Sequence, residues 1–116
     1  MQIQINTDNH IDGNQALSNH VEAVVAKAVR HVRGDLTRVE VHLYDENAGK
    51  TGGDDKRCLM EARLASHQPV AVSHNAASVH QAVDGAARKL RTALEALLGR
   101  RDAQRRNPDE VEIDPD

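Results

Sequence analysis

Seven histidines and one cysteine are the residues of this 116-residue chain best suited to metal or nucleophilic chemistry. His10, His20, His31, His42, His67, His74 and His80 never fall at the i, i+4 spacing that puts two imidazoles on one helical face. Cys58 has no partner in a C-x-x-C pattern, so no metal site is expected and the histidines read as surface residues. Nucleophilic catalysis needs a thiol or hydroxyl beside a histidine that an acid orients. Cys58 instead falls on the inward side of an alternating segment, where a thiol acts as inert packing. Gly49, Gly52 and Gly53 flank a lysine, but no helix follows to hold a phosphate at its N-terminus. Asp54 and Asp55 lie in turn-rich sequence, where carboxylates are solvated charge. No catalytic residue and no cofactor is expected, and an enzyme is not the reading.

Basic residues are the better lead. Lys27, Arg30 and Arg33 lie off the apolar stripe of one amphipathic segment, and Arg88, Lys89 and Arg91 lie on or beside the polar side of another. Two helices side by side would pool these cations on one surface, whereas the alternative is that each helix simply shows its Lys and Arg to water. Tyr44 is the sole member of the Phe, Trp and Tyr set, so base stacking on an aromatic platform is set aside. The formal charge of −3 is unevenly distributed. Residues 102–116 carry six acids against Arg105 and Arg106, which leaves 13 basic and 12 acidic residues in 1–101. With a nearly neutral body, a nucleic-acid role requires a local basic patch. No run of 18 apolar residues and no basic start followed by an apolar segment occurs, so no membrane contact is expected. A lone cysteine rules out an internal disulfide framework, and the reading is cytoplasmic.

The elements that must carry these residues are legible from periodicity. Residues 2–6 alternate strictly and predict a strand with Ile3 and Ile5 inward. Asp12 with Gln15 predicts a capping box opening a helix over Gln15–Arg33, its stripe made of Leu17, Val21, Val24, Val25, Ala28 and Val32, with Gly34 closing it. Arg38–Tyr44 is a second strand with Val39, Val41 and Leu43 inward. Asp45–Asp55 is a long hairpin loop, Lys56–Leu64 a third strand and Val70–Ser73 a fourth. Ser78 with Gln81 caps a helix over Ser78–Gly99, whose stripe is Val79, Ala82, Val83, Ala86, Leu90, Leu94 and Leu97, with Gly99 as its C′ residue. Gly85 is the weak point of that helix, at about 1 kcal/mol against alanine. Residues 102–116 lack apolar content and read as a disordered acidic tail after a single domain over 1–101. The order β-α-β-β-β-α predicts an α+β fold, a four-stranded sheet with both helices packed on one face and the first two strands parallel. The other sheet face, with Gln2, Gln4, Glu40, His42, Tyr44, Glu61 and Arg63, is left polar and open.

This order, with Ala82-Val83-Asp84 followed at a fixed interval by Lys89-Leu90, resembles the ribosome hibernation promoting factor and ribosome-associated inhibitor A family, also known as the sigma-54 modulation protein family. Val21, Lys27 and Arg30 fit the family's amphipathic first helix. Ser78 stands where the family often has aspartate, and His80 where it has tyrosine. The resemblance covers about residues 1–101 and implies a non-enzyme without cofactor that binds the small ribosomal subunit in the channel for messenger and transfer RNA and silences translation under stress. It implies contacts to ribosomal RNA phosphates by the basic helix faces, here Lys27, Arg30, Arg33, Arg88, Lys89, Arg91 and Arg100. It also implies the short form, with Ala103–Asp116 as its acidic tail in place of a dimerisation domain. After Lys89-Leu90 the chain departs from the family's further basic residues with Thr92, Glu95 and Ala96, and Glu95 would face phosphate unfavourably. The second reading is a protein-interaction module on the same scaffold, with weakened or lost ribosome binding, using the open sheet face or the acidic hairpin and tail.

Overall fold

A computed structural model describes residues 1–9, 11–46 and 55–105, with the backbone alone for 100–105. The elements run β1 (Gln2–Thr7), α1 (Gln15–Val29), a 3-10 segment (Arg30–Asp35), β2 (Leu36–Asp45), β3 (Lys56–Leu64), β4 (Val70–Ala76) and α2 (Val79–Arg105). The sheet order is β1-β2-β3-β4. β1 pairs in parallel with β2, placing Ile3 opposite Val39 and Ile5 opposite Val41. β2 and β3 are antiparallel, with Val41 opposite Met60 and Leu43 opposite Cys58. β4 closes the sheet antiparallel to β3, with Val72 opposite Met60 and His74 opposite Cys58.

Alternation decides the faces. Because side chains point to opposite faces at every step along a strand, Val39, Val41, Leu43, Cys58, Met60, Ala62 and Leu64 all turn to the side the helices cover and are buried there. Their partners in the core are Leu17, Val21, Val25, Ala28 and Val29 of α1 and Ala82, Val83, Ala86, Ala87, Leu90, Leu94 and Leu98 of α2. With a core built this way from branched aliphatics and alanine, α2 lies close across β3 and β4 while α1 packs against α2 and β1. Burial pushes the Cys58 thiol up to about 12, so it stays neutral and acts as packing.

Several local expectations change. Asn14, not Asp12, caps α1: its Oδ1 accepts the Leu17 N–H at 2.9 Å, and Asp12 instead accepts from the Asn14 side chain at 3.1 Å. Gly34 does not end an α-helix, because α1 stops at Val29 and tightens into the 3-10 segment. The segment kinks at Val32, whose backbone leaves helical geometry (φ −124°, ψ 17°), and Val32 is buried in the core with Val29 before the chain enters Leu36. β4 extends to Ala76 rather than ending at Ser73. Gly99 is not a C′ residue either, since α2 runs on to Arg105. Glycine permits a helix stop without forcing one, and the Arg, Ala and Gln that follow are good helix formers. Arg33 therefore lies in the 3-10 segment and not on α1, and the first residues assigned to the tail are helical. The loop over Asp45–Asp55 is closed by the Glu46 N–H on the Asp55 carbonyl at 2.8 Å. Residues 47–54 of that loop, and 106–116 of the expected tail, lie outside the described residues.

Candidate nucleic-acid interface

The site is built by two helical stripes with the same spacing. On α1 and the segment after it, His20, Val24, Lys27 and His31 recur at steps of four, three and four. On α2, Asp84, Arg88, Arg91 and Glu95 repeat those steps. Such a stripe climbs one side of a helix, so two helices lying together present it twice along their seam. The contacts show that the helices run in the same direction. At the early end His20 Nε2 bonds Asp84 Oδ1 at 3.1 Å, and its ring lies 4.3 Å from that of His80, centroid to centroid. At the late end His31 Nε2 stands 3.5 Å from Glu95 Oε2. The direction is set by topology: α1 follows β1, α2 follows β4, and both strands run parallel to β2.

Between those ends lies a groove of about 310 Å³ in which Lys27 of α1 meets Arg88 and Arg91 of α2 above an apolar floor of Val24, Ala28 and Ala87. Three of the expected phosphate contacts thus share one surface. A neighbouring groove beside β1 carries Lys27 again with Arg30 and Arg33, over Ile3 and Ala26. The cationic track therefore turns around α1 and does not end at the seam. Lys89 is elsewhere: its ammonium donates to the Ser73 carbonyl on the edge strand β4 at 2.9 Å. Arg100 lies within α2, and its side chain is outside the described residues.

Two carboxylates temper the positive charge. Asp84 sits in the groove beside Arg88, and Glu95 Oε2 accepts Arg91 Nε at 3.2 Å while also facing His31. Arg91 and His31 thus share one carboxylate, that of Glu95. His20, His31 and His80 were not singled out from the sequence as members of this surface. The equal stripe spacing was the available signal, but which stripes face each other requires the helix pairing.

The opposite sheet face is charged but self-paired. Glu40 receives Arg63 at 3.1 Å, Arg38 at 2.7 Å and His42 at 3.4 Å, and Arg63 also holds Glu61 at 3.0 Å. The Arg63 guanidinium, then His42 and Arg38, outweigh the opposing effect of burial and hold the Glu40 carboxyl below its ordinary range. Arg57 lies over the Tyr44 ring at 5.4 Å. At the hairpin, the Asp55 carboxylate foremost raises the Lys56 ammonium. Among the described residues no group of three His, Cys, Asp or Glu side chains is placed to hold a metal ion, and no helix is long and apolar enough to cross a membrane.

The profile of the Sigma 54 modulation protein / S30EA ribosomal protein family matches residues 3–102. Among solved structures, a ribosomal subunit interface protein from Coxiella burnetii superposes with a TM-score of 0.70 at 16% identity, over 85% of this chain and 99% of that one. The Protein Y N-terminal domain of Thermus thermophilus superposes with a TM-score of 0.68 at 25% identity, over 84% of this chain and 99% of that one. No curated protein matches the chain in sequence.

Proposed function

The chain belongs to the Sigma 54 modulation protein / S30EA ribosomal protein family, and from that premise we propose that it is a cytoplasmic, ribosome-associated translation-silencing factor that binds ribosomal RNA of the small subunit through the α1–α2 seam. The observation that carries this reading is the convergence of Lys27, Arg88 and Arg91 in one groove, with Arg30 and Arg33 continuing the track. Guanidinium and ammonium groups on helix faces neutralise backbone phosphates and set position without reading sequence. The protein is a binding factor needing no cofactor, and its action is occupancy of the subunit. The polar sheet face offers less to a charged partner, because Arg38, Arg63, Glu40 and Glu61 already engage one another.

Co-sedimentation with purified small ribosomal subunits across a salt series tests this. Affinity drawn from three to five phosphate contacts falls with log salt at a slope on the order of −2 to −5, at about 0.7 to 0.9 per contact. Lys27→Glu with Arg88→Glu is expected to weaken binding at least about a hundredfold and flatten that slope, whereas Arg63→Glu on the sheet face leaves both nearly unchanged. Glu95→Gln is expected to strengthen binding by freeing Arg91. Helix reversals without effect on sedimentation sink the proposal.

A further inference from the structure

The histidine pair at the early end of the seam has no role in a phosphate track, yet its geometry is specific. His80 is exposed in the first turn of α2, and its ring is backed at 4.3 Å by that of His20, the planes tilted by 49°. His20 is half-buried, and its Nε2 is tied to Asp84. The inner ring is thus held in place and the outer one rests on it. His80 also lines a hollow of about 460 Å³ whose apolar part is Ile11, Leu17 and Val79 and whose polar part is Asp12, Asn14, Ser78 and Lys56. Lys56, at the rim, is already held by Asp55 at 2.9 Å and by Asp45. Backed by a held ring, partly apolar, bordered by the Asp12 carboxylate and large enough for a purine, this hollow suits an unpaired nucleobase better than a phosphate.

We infer that His80, supported by His20, is a stacking platform for one unpaired base of the RNA whose backbone follows Lys27, Arg88 and Arg91. Imidazoles serve as base platforms alongside Phe, Tyr and Trp, which a count of Tyr44 alone overlooked. His80 and Arg88 are eight residues apart, about 12 Å along the helix, so one strand reaches both. Stacking contributes affinity without releasing a counterion, so its signature differs from that of a phosphate contact.

The inference rests on RNA binding at the seam, and the test separates the two. Small-subunit binding is measured at pH 8, above the range in which histidine side chains ordinarily charge. His80→Ala is expected to weaken binding about five- to twentyfold with the salt slope unchanged, while Arg88→Ala lowers the slope by about 1. His80→Tyr restores wild-type affinity or exceeds it. A short single-stranded RNA carrying 2-aminopurine is quenched on binding the wild type and the His80→Tyr variant, and not on binding His80→Ala. Thermal melts of the variants control for folding, which the exposed position of His80 favours. Unchanged affinity of His80→Ala, a slope change equal to that of Arg88→Ala, or a His80→Tyr variant as weak as alanine overturns the platform. Binding that ignores Lys27 and Arg88 reversal fails the seam reading itself.

Discussion

At the scale of single residues, Gly85 shows how a position that costs helix stability is required by packing. A Cβ at Gly85 would overlap the His74 ring, because His74 turns inward from β4 toward the α2 backbone. Alanine there adds about 1 kcal/mol of helix propensity but forces an overlap whose usual cost is about 1–3 kcal/mol. Gly85→Ala is therefore expected to be neutral to destabilising by up to about 2 kcal/mol. In a His74→Ala background the same change becomes stabilising by about 1 kcal/mol. Denaturant midpoints of the four proteins of this cycle measure the coupling, and equal effects in both backgrounds would show that the ring gives way freely. His74 is thus a packing residue, although its type invites a catalytic or metal reading.

At the scale of elements, helix entry is set by which side chain meets an orphan N–H. Asn14 Oδ1 accepts from Leu17, whereas Asp12 only receives the Asn14 amide. Asn14→Ala is expected to destabilise the protein by about 1 kcal/mol, and Asp12→Ala by a few tenths at most. Chemical denaturation distinguishes them, and a larger effect at Asp12 would restore the capping box read from the sequence. α2 begins as its sequence implies: Ser78 Oγ accepts the Gln81 N–H at 3.1 Å. Both helices then present alike-spaced stripes, and the seam is a property of neither helix alone.

At the scale of the whole molecule, the helices divide the sheet into a buried face and a face on which charges pair with each other. The pairing around Glu40 has a pH signature. Its carboxyl, held below its ordinary 4.5 by Arg63 first and then His42 and Arg38, contributes stability that is fully present above the unfolded value. That contribution is lost as pH falls through the lower folded value. Glu40→Gln is expected to reduce stability at neutral pH and to flatten its decline as pH falls below the ordinary 4.5. Urea titrations at several pH values check this, and parallel acid limbs in the two proteins would remove Glu40 as a source of the acid sensitivity. Since this network lies across the sheet from the seam, the same variant is expected to leave the proposed small-subunit binding unchanged.

Periodicity alone determined the element order, the inward faces of β1, β2 and β3, and most of both apolar stripes, while Val29, Ala87 and Leu98 join the core from beside them. Those features follow from local geometry: strands alternate every second residue and helices repeat every 3.6, whatever lies above them. The Ala82-Val83-Asp84 and Lys89-Leu90 helix carried the family resemblance for the same reason, since it is a pattern within one element. Ends were harder to read. Asn14 against Asp12, the 3-10 turn after Val29 and the run of α2 through Gly99 depend on competing partners that spacing does not rank. What only the tertiary structure decided is company. Lys27 stands 61 positions from Arg88, and His20 stands 60 positions from His80, yet the parallel packing of α1 and α2 brings each pair to one seam. The same packing turns Lys89 away to Ser73 although its neighbour Arg88 points into the groove. Residue type and period along a chain are local quantities. The meeting of two faces is set by sheet order and crossover, which place the two helices beside each other.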